Sequence, residues 1–149
     1  MSDAIKVLSS LQVEIILGVK FQNAKGFVLD KDYNVPSDAS ILPYLAELRE
    51  ELFAKYGDKW QDYFDCDNYA LEAIALAYRK HFIARQAGNG SAQGVAVGLL
   101  CYHPTPTTGH CVNFWIDAEN EVNIFEPQTR QPIVLTNEQC ASAFFYFVS

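Results

Sequence analysis

The stretch that decides the reading runs from Asp65 to Arg85: Asp65-Cys66-Asp67-Asn68-Tyr69-Ala70-Leu71-Glu72-Ala73-Ile74-Ala75-Leu76-Ala77-Tyr78-Arg79-Lys80-His81-Phe82-Ile83-Ala84-Arg85. Tyr69, Ala73, Ile74, Leu76, Ala77 and Phe82 recur at helical spacing and predict the inward face of a helix from about Cys66 to Arg85. Arg79, Lys80 and Arg85 suit its negative end, and Asp65 and Asp67 its positive start. A cysteine therefore opens the strongest helix in the chain.

Upstream, Ser40 is expected to cap a helix carrying Leu42, Leu45, Leu48, Leu52 and Phe53, with Pro43 in its first turn and Gly57 at its end. Residues 26 to 38 read as extended chain, because Pro36 biases Val35 away from helix. Residues 4 to 19 are too densely apolar for periodicity to separate helix from strand. Downstream, residues 86 to 94 are a loop by composition, and the rest reads as sheet. Strands are expected at 95 to 102, 110 to 116, 121 to 125 and 143 to 148, broken by the loop HPTPTTG, a turn at 117 to 120 and a connection at 127 to 140. Helices followed by strands make this an α+β pattern.

The 149 residues suffice for one domain with a continuous core, and half of them are hydrophobic. A net charge of -7 with eleven scattered basic residues excludes a phosphate-neutralising surface, so no nucleic-acid partner is expected. No apolar run is long enough to span a membrane, and Met1-Ser2-Asp3-Ala4 lacks a basic signal-peptide start. The expected location is cytoplasmic, or outside by a route without a signal peptide. Cys66, Cys101, Cys111 and Cys140 are too few for a disulfide scaffold, so reduced thiols are expected.

Three residues fall in the order of a cysteine-hydrolase triad. Cys66 at a helix start is placed to be a nucleophile, since unpaired N–H groups there favour the thiolate. His110, after Gly109, could act as base, and Glu126 lies one strand, one turn and one returning strand further on, where it could orient the imidazole. Gln61 could donate to an oxyanion. Asp62, Asp65 and Asp67 form the densest oxygen cluster and suit a hard cation such as calcium, which would offset their repulsion of a thiolate. Cys101, His103, His110 and Cys111 include zinc-ligand types, but residues 110 and 111 point to opposite faces of a strand and make a shared site strained.

The motifs DKDYNVPS (30 to 37), YFDCDNYA (63 to 70), GHCVNFWID (109 to 117) and FEPQT (125 to 129) resemble those of the family typified by the C-terminal cysteine-protease domain of the Marasmius oreades agglutinin. The resemblance implies a papain-like α+β fold, with helices on an antiparallel sheet. It also implies a Cys66, His110 and Glu126 triad, and calcium held among Asp62, Asp65 and Asp67. It covers about two thirds of the chain, and residues 1 to 30 are too few for the sugar-binding trefoil that precedes the protease domain in the fungal protein, so the resemblance does not imply sugar binding.

The expected organisation is thus a single domain over 1–149, with an N-terminal segment 1–30 of unassigned structure and a catalytic core over 30–149. The expected function is a calcium-dependent thiol hydrolase acting on a peptide or protein substrate through a thioester. A transglutaminase-like acyltransferase or a cell-wall amidase would use the same triad. The alternative of another class is a non-catalytic interaction or regulatory domain on a papain-like scaffold, with Cys66 a bystander. Oligomeric state is left open, a homodimer included.

Overall fold

The computed structural model describes residues 5–57 and 65–148. It is a mixed α/β structure, and among the described residues four helices accompany two sheets of mixed strand orientation. The larger sheet has the order β2 (Lys25–Val28), β9 (Phe145–Val148), β5 (Val97–Thr105), β6 (Thr108–Ile116), β7 (Val122–Glu126) and β8 (Gln131–Ile133). Its pairs are antiparallel except β2 with β9. The smaller sheet joins β1 (Val7–Ser9), β3 (Asp32–Asn34) and β4 (Gly94–Val95), the last pair parallel. The expectation of an antiparallel sheet is corrected to this extent.

Alternation along β5 and β6 explains their long apolar runs. Leu100, Tyr102, Val112 and Phe114 face one core with Leu8, Val13, Leu17 and Phe21 from β1, α1 (Ser10–Lys20) and the residue after it. Val97 and Trp115 face the other with helices α2 (Asp38–Tyr56) and α3 (Cys66–Gln86). A sheet covered on both faces needs apolar side chains at every position, which removes the period-two signal.

The ambiguous N-terminal run divides into β1 and α1, because Ser9 ends the strand and caps the helix: its Oγ accepts from Gln12 N at 3.2 Å while Gln12 Oε1 accepts from Ser9 N at 2.8 Å. α2 starts three residues earlier than expected, with Ser37 as its cap, so Pro43 lies inside the helix instead of in its first turn. Gly57 does end it, at φ 71°. In α3 the expected inward residues are buried apart from Phe82, which is 62% exposed. The HPTPTTG segment is mostly strand: β5 and β6 run to Thr105 and Thr108, leaving a two-residue connection with an irregularity after Tyr102. The 127 to 140 connection holds β8 and the start of α4 (Asn137–Ser142).

Two buried polar contacts fix α3. Tyr44 donates to the Ala73 carbonyl at 2.6 Å, joining α2 to α3. Asn113, fully buried on β6, donates Nδ2 to the carbonyls of Ala70 on α3 and Gly98 on β5, at 2.9 and 3.1 Å. This pins the first turns of α3 onto the sheet.

Candidate functional site

Cys66 opens α3, and the Asp65 N–H donates to Asn68 Oδ1 at 3.1 Å across the helix start. The cysteine packs against a small cluster of Ala70, Ile74, Leu99, Cys101 and Cys111. Burial pushes its thiol up, and the charges of Asp65 and Asp67 push it further; main-chain N–H groups of Cys111 and Asp67 pull the other way and do not win. The Cys66 thiol is therefore held above its ordinary value.

Cys101 and Cys111 are not reduced thiols: they form a disulfide, ten residues apart in sequence, with Cα atoms 4.3 Å apart. They are direct cross-strand partners, and this close spacing marks a pair that exchanges no hydrogen bonds with β5. The Cys111 N–H consequently turns toward the β7 side, where the pairing with β6 has already ended at Asn113 and Phe125. That free donor meets the Cys66 thiol. The bond also removes both cysteines from any zinc set. Cys66 and Cys140 are the free cysteines.

His110 and Glu126 are brought together as expected: His110 Nε2 and Glu126 Oε2 hydrogen bond, and Glu126 Oε1 accepts from Gln128 N at 3.1 Å. Strand alternation puts His110 with Tyr102, its cross-strand partner, and their rings meet edge to face at 5.9 Å. Burial and the Glu126 charge raise the Tyr102 phenol. Among the described residues no hydrogen bond or ion pair joins Cys66 to His110. The second and third members of the expected triad form a pair, and the first is set by other groups.

Asp65 and Asp67 flank the thiol, and with Cys66 they place three ligand-type atoms within 4.8 Å of one another. A hydrogen bond that the protonated Asp67 carboxyl donates to Asp65, then burial and the Asp65 charge, raise the Asp67 carboxyl. Asp67 therefore holds its proton more strongly than an ordinary carboxyl does. Gln61 and Asp62, expected to serve an oxyanion and a cation, lie outside the described residues, as do Trp60 and Tyr63. Asn113 is a buried tie between α3 and the sheet.

No family model matches the chain, and no curated protein matches it. Solved structures do. PSL1a in a complex with E64 is 18% identical, with a TM-score of 0.71 over 95% of this chain and 51% of that one. The Polyporus squamosus lectin bound to the human-type influenza-binding epitope Neu5Aca2-6Galb1-4GlcNAc is 17% identical, with a TM-score of 0.67 over 95% of this chain and 49% of that one. The chain spans about half the length of these structures. The similarity to a fungal lectin agrees with the agglutinin side of the sequence resemblance.

The expectation of a thiol peptidase is corrected by these findings. The structures that share the fold include a lectin carrying a glycan, and the cysteine on which a thioester depends has a raised thiol with no imidazole among the groups that set it. The acyltransferase and amidase readings need the same activated cysteine and fall with it, as does the expected peptide substrate. Among the described residues no helix is long and apolar enough to cross a membrane.

Proposed function

We propose that this chain is a non-catalytic interaction domain on a papain-like scaffold, with a carbohydrate as its ligand. The observation that carries the proposal is the fold likeness to a lectin solved with a sialylated trisaccharide, over 95% of this chain. The chemistry at the start of α3 is compatible with it. Asp65, Asp67 and Glu126 are acceptors for sugar hydroxyls, and His110 adds a ring nitrogen beside Glu126.

Calcium belongs to the same proposal. A carboxyl that holds its proton against a neighbouring carboxylate can exchange it for a cation, and Asp65 and Asp67 would supply oxygen ligands. The cation would offset the local negative charge and accept sugar hydroxyl oxygens.

The test is calorimetric titration of the folded chain with Neu5Aca2-6Galb1-4GlcNAc, in calcium and in chelator. Saturable binding that weakens in chelator and in Asp67→Asn supports the reading. Heat indistinguishable from dilution at millimolar trisaccharide, with the fold intact, overturns the carbohydrate assignment.

A further inference from the structure

Three to five turns further along α3 than Cys66, roughly 20 Å away, a cavity of about 730 Å³ opens between α2, α3 and the β3–β4 pair. Its walls are apolar: Val35, Ile41, Tyr44, Ala77, Val95 and Val97. Its volume lies in the range of sites that enclose small organic ligands. The polar groups lining it are unusual for this acidic chain, since among the described residues they include Lys6, Lys80 and His81 and no Asp or Glu.

Three of these polar features point the same way. Lys6 Nζ donates to the Ala118 carbonyl and to Asn120 Oδ1, both neutral, so its charge has no anionic partner among the described residues. Lys80, by contrast, is paired with Glu47. Ser37 and Ser40 bring the N-terminus of α2, a 19-residue helix, to the cavity, with its positive dipole end. Asn34 is only 5% exposed and lines the cavity. Its Oδ1 is used, accepting from Ser91 N and Ala92 N at 3.0 and 3.1 Å, but its Nδ2 has no acceptor among the described residues. The loop that fixes this amide requires glycine at position 90, where φ is +80° and a Cβ would lie 2.6 Å from Asn34 Oδ1. A buried donor without an acceptor is costly unless something supplies one.

We propose that this cavity binds a small amphipathic carboxylate, its hydrocarbon body on the apolar walls and its anionic head toward Lys6, Asn34 and the start of α2. The site is separate from the Cys66 region and does not depend on the carbohydrate reading.

The experiment titrates the full chain by calorimetry with decanoate, decan-1-ol and decyltrimethylammonium, each below its micellar concentration. Decanoate should bind once per chain and about tenfold or more tighter than either of the others, the value of a charge-assisted hydrogen bond. Ala84→Trp, which puts an indole into the cavity from a half-buried position, should abolish binding. Lys6→Met should weaken decanoate about tenfold and leave decan-1-ol unchanged. Asn34→Asp keeps the acceptor for Ser91 and Ala92, replaces the donor with an anion, and should weaken decanoate most. No saturable decanoate binding to about 1 mM, or equal binding by the three probes, overturns the proposal. Should Ala84→Trp fail to fold, unchanged affinity in Lys6→Met overturns it equally.

Discussion

The Cys66 thiol faces the main-chain N–H of Cys111, a residue whose own sulfur is bonded to Cys101. One strand position thus supplies both the contact of the free cysteine and half of a cross-strand bridge. The arrangement leaves two free thiols among four cysteines. Peptide mapping without reduction should recover a Cys101–Cys111 linked pair, with alkylation confined to Cys66 and Cys140. Replacing both bridge residues by alanine should lower stability by about 2–3 kcal/mol, as expected for closure of so short a loop. Four alkylated cysteines in the unreduced protein would contradict the pairing.

The carboxyl pair beside Cys66 gives a signed pH dependence. The Asp67 carboxyl is raised, so the folded protein binds its proton more tightly than the unfolded chain does. Stability from this group is present at low pH and declines as pH rises through the window from the ordinary carboxylate value up to the folded one. Chemical denaturation across that window should show the decline in wild type and lose it in Asp67→Asn. Under the calcium proposal, millimolar calcium at neutral pH should raise the midpoint of wild type more than that of the variant. Identical pH profiles for the two proteins would contradict the raised Asp67 carboxyl.

Asn113 holds the beginning of α3 to two strands through one side-chain amide. Asn113→Ala removes both bonds inside the core and should cost about 2 kcal/mol, read as a lowered denaturation midpoint with no change in the shape of the transition. Asn113→Asp should cost more, since it buries a charge facing two carbonyl oxygens. A surface-like effect of either change would contradict the burial and bonding of this residue.

Much of this structure was legible in the residues, and the exceptions have physical causes. α3 declared itself because one of its faces is exposed and its periodicity is clean, and the Gly57 stop followed from the left-handed φ that glycine accepts. The division of residues 5 to 20 into a strand and a helix was hidden by apolar side chains on both faces of α1, where Val13 and Leu17 are buried while Leu11, Ile15 and Val19 are exposed. The capping box of Ser9 and Gln12 was the signal that could have found it. The Pro- and Thr-rich hairpin tip misled because Pro104 falls at the irregularity in β5, where a ladder donor is not needed. At the site, the His110 and Glu126 pairing was readable from strand spacing. The disulfide was not, because it depends on the register that sets Cys101 opposite Cys111. Asn34, with its unpaired amide, carried no sequence signal beyond its neighbouring Val35-Pro36.

The central claim is that Cys66 is a bystander with a raised thiol in a proposed binding domain, and its alkylation rate tests this most directly. The measurement follows iodoacetamide modification of Cys66 against pH by mass spectrometry, in wild type and His110→Ala, with and without calcium. Because burial and the neighbouring carboxylates raise the thiol, the account predicts slow reaction at neutral pH, a midpoint above the ordinary thiol value in chelator, and no dependence on His110 in either condition. A midpoint below neutral pH, with fast labelling that disappears in His110→Ala, would contradict it.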